Sequence, residues 1–164
     1  MDALAGCGAW VTLMTDAAFS SQETSLAAAV SVRQVTANLQ TFLAVDFGLK
    51  RTGLAVGNRL LRQAQPLRTV RAEGDARFEK IALQIKEWQP DALVIGVPFH
   101  PDGAAHVNTL RARKFGRQMH GRFRLPVFEV DERYSTTEAN SVGAKDADAG
   151  AACIILDQFF RSLP

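Results

Sequence analysis

Cysteine is scarce in this 164-residue chain: Cys7 and Cys153 are the only two. Their separation fits no zinc pattern, so neither points to zinc or redox chemistry. Cys153 sits in Ala-Ala-Cys-Ile-Ile-Leu, where a thiol serves as a small buried hydrophobe. Histidine is scarce too; His100, His106 and His120 are not spaced as a metal triad. No apolar run reaches the roughly 18 residues of a membrane span, and the N-terminus lacks the basic start of a secretory signal. A soluble, cytoplasmic protein is the expectation. There is no glycine-rich phosphate loop, no nucleophilic serine motif and no internal repeat. What remains, 47% hydrophobic and 22% charged residues, is the composition of a globular domain with a full core.

Acidic residues are missing from one place in particular. Arg111, Arg113, Lys114, Arg117, Arg122 and Arg124 follow one another without an intervening Asp or Glu. Such a run resembles a footprint for a polyanion backbone, and equally the solvated face of a helix. Residues 1–40 contain Asp2, Asp16 and Glu23 against Arg33, which leaves residues 41–164 with 18 basic and 14 acidic groups. Residues 1–40 are rich in Ala, Ser and Thr, show no sustained period and read as an extension outside the core. The domain spans 41–164.

From Thr41 the pattern is three strands, then helix, strand, helix, strand, helix, which specifies an α/β fold with a mixed sheet. The third strand is expected near Pro66–Val70. Asp75 is placed to cap a helix carrying Phe78, Ile81, Ala82, Ile85 and Trp88 at helical spacing, with Pro90 behind it. Asp91–Pro98 reads as a central strand because its four consecutive apolar residues suit a position covered on both faces; Gly96 and Pro98 end it. A second helix is expected over Ala104–Met119, with Val107, Leu110, Lys114 and Phe115 near one side. Leu125–Val130 is the last strand, and a helix from Asp146 to Phe160 closes the chain.

The stretch Thr41-Phe-Leu-Ala-Val-Asp46-Phe-Gly48 ends an apolar strand in Asp-x-Gly. Phe42, Ala44 and Asp46 share one face and Leu43, Val45 and Phe47 the other, so Asp46 leaves the core only at the strand's end. Gly48 permits a tight turn and Gly53–Gly57 reads as the returning strand. An ordinary hairpin with a turn Asp fits the same residues. Two other regions supply acids at element ends: Asp131 and Glu132 after the last strand, and Asp146 and Asp148 at the start of the last helix. Ligand crevices of open α/β sheets lie at the carboxyl ends of parallel strands, so these groups can converge. Asp148 shares a helical face with Ala152, Ile155 and Phe159; a helix-start carboxylate is the plainer alternative, and Asp146 fits that capping role better. Of the adjacent pair, Glu132 is favoured for the site, with Asp131 bonding locally. Clustered carboxylates repel unless a cation compensates, and these hard oxygen donors suit Mg²⁺ or Mn²⁺. Two such ions about 3.5–4 Å apart can drive phosphodiester hydrolysis without a covalent intermediate.

Several motifs in this order resemble the YqgF (RuvX) family of Holliday junction resolvases and pre-16S rRNA nucleases: Ala44-Val-Asp46-Phe-Gly48-Leu-Lys50-Arg51-Thr-Gly53-Leu-Ala55, then Val94-Ile-Gly96-Val-Pro98 with Asp102-Gly103, then Asp131-Glu132-Arg133-Tyr-Ser-Thr136-Thr137-Glu138-Ala139, then Asp148-Ala-Gly-Ala151-Ala152. The match covers nearly all of 41–164. The resemblance implies an RNase H-like fold, with a central mixed five-stranded sheet flanked by helices. It implies a metal-dependent endonuclease acting on branched DNA or structured precursor rRNA, with Asp46, Glu132 and Asp148 as catalytic metal ligands. It also implies that Lys50 and Arg51 lie beside the site. Arg133, Arg111, Arg113, Lys114 and Arg117 are further candidates for nucleic-acid contact, and Asp131 and Asp146 for accessory roles. The chain departs from the family in its N-terminal extension, in a shorter Asp131–Asp148 segment and in Ala149-Gly150. The alternative function is a catalytically inactive nucleic-acid-binding module in ribosome maturation or transcription. A homodimer would suit a two-fold junction.

Overall fold

The computed structural model describes residues 37–132 and 146–164. The extension over 1–36, Arg133 and the segment whose length departs from the family lie outside these residues. Nine elements follow in order: β1 (Thr41–Phe47), β2 (Arg51–Asn58), β3 (Gln63–Pro66), β4 (Val70–Arg71), α1 (Gly74–Trp88), β5 (Ala92–Val97), α2 (Val107–Phe123), β6 (Val127–Asp131) and α3 (Ala147–Ser162). The sheet order is β3-β2-β1-β5-β6, with β4 also pairing β2. β1 is antiparallel to β2 and parallel to β5, and β5 is parallel to β6. The five-strand path and its mixed character are as the sequence implies; the two-residue β4 is a sixth strand.

The alternation along β1 divides the core. Phe42 and Ala44 face α3, in a cluster with Phe128, Ala152, Ile155, Phe159 and Phe160. Leu43 and Val45 face α1 and α2, in a cluster with Phe78, Ile81, Phe115 and Met119. β5 is buried throughout, as its apolar run requires of a central parallel strand.

Some boundaries differ from expectation for identifiable reasons. The stretch Pro66–Val70 is a break between two strands. Pro66 brings no amide hydrogen to the ladder, and the Leu67 amide turns back to the Leu54 carbonyl at 2.9 Å. Asp75 is not the cap of α1: Glu73 holds that position without a side-chain bond, while Asp75 pairs with Arg122. Gly96 lies within β5 and does not end it. α2 starts three residues late because His106 caps it. Its Nδ1 accepts from the Asn108 amide at 3.1 Å, and its own amide donates to Thr109 Oγ1 at 3.0 Å. The buried stripe of α2 is Thr109, Ala112, Phe115, Gly116 and Met119. Phe115 belongs to it; Val107 and Leu110 are exposed, and so is Lys114.

Candidate active site

The pairing registers place one row of residues across the α3 face of the sheet. Asp46 pairs with Gly53 of β2. One step beyond the last β1–β5 pair, Val45 with Ile95, Asp46 comes level with Gly96 of β5. The aspartate therefore stands between two glycines, and each admits something a larger residue would exclude. A Cβ at Gly53 would overlap the Asp148 carbonyl, so this glycine lets the first turn of α3 come down onto β2. A Cβ at Gly96 would overlap Glu132 Oε1, so this glycine leaves the place that the Glu132 carboxylate fills. Glu132 lies one residue past β6, and strand parity puts it on the face of Phe128 and Val130, the α3 face.

Electrostatics link the three acids in sequence. Burial raises the Asp46 carboxyl to about 6, with the Asp148 charge adding to the effect. Burial likewise raises Glu132 to about 7, with Asp46 next in influence and Asp131 third. Asp46 is thus the middle member, coupled to one partner on each side. Asp131 is the final residue of β6, and its backbone carbonyl accepts from Gln158 at 2.9 Å.

Asp146 caps α3. One carboxylate oxygen accepts from the Asp148 amide at 3.3 Å and the other from the Thr69 amide at 3.1 Å. The nearby Thr69 hydroxyl, with the amides of Thr69, Asp148 and Ala149, keeps its carboxyl below the ordinary range against a burial penalty. This ties the start of α3 to the β3–β4 connection and fixes the height of Asp148 on the sheet.

Arg51 Nε lies 3.3 Å from Asp148 Oδ2, so the implied phosphate contact is paired with one of the acids. Lys50 is exposed beside it. The basic run on α2 is not one surface. Arg113 pairs with Glu129 at 3.0 Å and lies over Phe99, and Arg122 pairs with Asp75 over Phe78. Arg111, Lys114 and Arg117 point to solvent. Among the described residues, no three His, Cys, Asp or Glu side chains form a ready ligand set as they stand. Cys153 is buried and its thiol is pushed up to about 11, chiefly by burial.

Comparison with known proteins decides the family. A family model described as "RuvX: Holliday junction resolvase" matches residues 40–162. This chain belongs to the RuvX family. It is therefore a nuclease-family protein, and the matched span includes every member of the carboxylate row. A protein of Albidiferax ferrireducens named "Putative pre-16S rRNA nuclease" is 80% identical over 79% of this chain and 83% of its own length. A Polaromonas protein of the same name is 67% identical over 82% of this chain and 97% of its own. Among solved structures, Thermus thermophilus RuvC in complex with a Holliday junction substrate aligns with a TM-score of 0.51 at 12% identity, covering 74% of this chain and 94% of that one. That likeness shows the fold alone, which is RNase H-like as the sequence resemblance implies.

Asp46, Glu132 and Asp148 are candidates from the sequence, and the structure sets them along one face; sequence reasoning does not give Gly53 and Gly96 their part in admitting Asp148 and Glu132 beside Asp46. The signal was present in the motifs: Gly53 and Gly96 fall where strand register brings them level with Asp46, and reading register together with spacing would have found them.

Proposed function

We propose that this RuvX-family nuclease is a divalent-metal-dependent endonuclease that cleaves structured precursor rRNA at a site built from Asp46, Glu132 and Asp148. The observation that carries this reading is the row itself. Acids from three separate elements lie along one face of the sheet, Glu132 against Gly96 and the backbone of Asp148 against Gly53 on either side of Asp46, near enough for their charges to act on one another but not drawn into a ligand set without a cation. The RNA substrate is supported by the name shared by the relatives at 80% and 67% identity.

The donor set fits Mg²⁺ or Mn²⁺. Two partly buried carboxyls raised to about 6 and 7 by desolvation and neighbouring charge are an anionic site that a hard cation would relieve. Asp46, Glu132 and Asp148 would hold it, with the Arg51–Asp148 pair exchanged in part for the cation. Ions of this kind activate water and stabilise a leaving oxygen at a phosphodiester. The chain's own residues do the rest. Asp46 and Glu132 concentrate negative charge in a partly dehydrated pocket, Asp146 holds Asp148 level with them, and Lys50 and Arg51 offer cations at the rim for the phosphate backbone. Arg133, Arg111 and Lys114 are candidates for the outer contacts.

A DNA junction is the second reading, favoured by the family model's own description. A homodimer would belong to it, because two-fold substrates suit two-fold enzymes. The deciding experiment is cleavage of labelled four-way DNA junctions and of 16S precursor RNA, side by side, with Mg²⁺, with Mn²⁺ and with chelator, for the wild type and Asp46→Asn. Metal-dependent cutting of RNA that disappears in the variant supports the proposal. Cutting of DNA alone moves the substrate, and binding of both without cutting replaces the enzyme with a binding module.

A further inference from the structure

Arg77 is the buried charged residue of the core on the opposite face, only 6% exposed. An uncompensated guanidinium costs several kcal/mol to desolvate, so a buried one has to be held by specific partners. Among the described residues it forms no ion pair. Its charge is met by carbonyls and rings: Nε donates to the Ala72 carbonyl at 3.0 Å, Nη2 donates to the Leu49 carbonyl, and its centre lies 5.0 Å from the Phe47 ring and 5.8 Å from Phe115. Burial lowers its pKa, and the Glu73 charge opposes that. A leucine or methionine would fill this volume without the cost, so the arrangement calls for a reason.

The Leu49 carbonyl supplies one. Leu49 is the centre of the connection Gly48-Leu49-Lys50 between β1 and β2 and is 58% exposed, so its side chain adds little apolar packing to hold the turn. The Gly48 amide donates to the Arg51 carbonyl across it at 2.9 Å, and Arg77 holds it from beneath. Asp46 stands two residues before this turn, and Lys50 and Arg51 form its far side.

We infer that Arg77 is a positioning residue that reaches from α1 through the core to lock the β1–β2 turn, and so fixes where Lys50 and Arg51 present their charges to the nucleic-acid backbone. The inference rests on the reading of the carboxylate row as the active site. Both fork positions are used, toward Leu49 on one side and Ala72 on the other, and a lysine ammonium cannot span them.

The test compares Arg77→Lys and Arg77→Met in the full chain, each alone and combined with Arg51→Ala. In Arg77→Lys the Gly48 amide should exchange its hydrogen about tenfold faster or more, while the Gln89 amide, bonded to Ile85 at the far end of α1, keeps its rate. KM for the cleaved nucleic acid should rise about fivefold or more with kcat nearly unchanged, and the rise should fall below about twofold in the Arg51→Ala background, because coupled residues are not additive. Should Arg77→Met fail to fold, Arg77→Lys carries the test. Unchanged Gly48 exchange, or equal KM losses in both backgrounds, would overturn the role. If Asp46→Asn instead keeps full cleavage, the active-site reading fails by itself, and Gly48 exchange alone judges Arg77.

Discussion

The two faces of the sheet are made by the same strands and solve opposite problems. On the α1 and α2 side, volume is added: Phe47 stacks on Phe115 at 4.7 Å and Phe115 on Phe78 at 5.4 Å, with Leu54, Ile81, Met119 and a buried arginine filling the remainder. On the α3 side near Asp46, volume is withdrawn. Ala44, Ala55, Ala149 and Ala152 are fully buried there, and Gly53 and Gly96 flank the aspartate. The large side chains of that face, Phe42, Phe128, Phe159 and Phe160, gather toward the other end of α3. Close approach of a helix to a sheet needs small residues, and carboxylates on separate elements can meet only if backbones approach closely. The face proposed to carry the chemistry is thus the one from which side-chain volume has been removed.

The comparison breaks most severely if charge is removed from the small-residue face. Asp46→Asn should lower metal-dependent cleavage by about 10²–10³-fold, the scale of losing one preorganised electrostatic group, with nucleic-acid binding retained. Stability at neutral pH should rise, because a partly desolvated charge disfavoured by the fold has gone. Cleavage kinetics and thermal unfolding of the same preparation check both halves. A second break restores volume. Gly96→Ala pushes against the Glu132 carboxylate and Gly53→Ala against the backbone of Asp148. Each should cost about 1–3 kcal/mol of stability through overpacking and cut cleavage up to about 10²-fold through a displacement on the order of 1 Å. Gly116→Ala on the other face is the control. Its Cβ would meet Ile95 Cδ1 at 3.2 Å, the end of a flexible side chain. There the gain in helix propensity, about 1 kcal/mol, offsets the contact, and cleavage should hold. Equal activity losses at all three glycines would remove the distinction between the faces.

A third test sharpens the contrast with pH. Asp46 and Glu132 have folded-state values of about 6 and 7 against ordinary values of 3.8 and 4.5. Groups raised in this way contribute stability that is fully present below the ordinary values and is lost as pH rises through the folded-state values. In chelator, unfolding temperature should therefore fall between about pH 4 and pH 8. Mn²⁺ should flatten this fall and bind more tightly as pH rises through 5–7, because protons leave as the cation enters. Asp46→Asn should remove one step and lower the Glu132 step, since the Asp46 charge is one of its causes. A flat pH profile without metal would mean that neither burial nor the neighbouring charges raise these two acids.

How much of this was legible follows the same division. The parity of β1 and the choice of Glu132 over Asp131 as the α3-face residue came from period-two alternation, which a sheet enforces strictly, and the burial of β5 from an unbroken apolar run that suits a strand covered on both faces. The Asp146 cap came from local chemistry that is complete within three residues. The faces of α2 were misjudged because Val107 and Leu110 are apolar but exposed, while the buried stripe is made of Thr109, Ala112 and Gly116 as well as Phe115 and Met119. Hydrophobicity did not distinguish them, and the His106 cap that sets the phase was not read as one. The inward course of Arg77 was hidden for a related reason: an arginine on a helix reads as solvated until its carbonyl partners, Leu49 twenty-eight residues away among them, are brought to it by the fold.

The gentlest test concerns the basic run, which the sequence presents as one patch and the structure divides. Arg113 and Arg122 are tied to Glu129 and Asp75, so part of their charge is already answered within the protein. Arg111 and Lys114 are exposed on the outer surface of α2, free to release counterions from a phosphate backbone. Replacing both with alanine should reduce the slope of log affinity against log salt by roughly two units, whereas replacing Arg113 and Arg122 should change it by less than about one. Turnover at saturating substrate should be unaffected in the first pair, since the carboxylate row lies on the opposite face of the sheet. Equal slopes for the two pairs would show that the internal ion pairs yield to the nucleic acid, and the run would then act as a single surface after all.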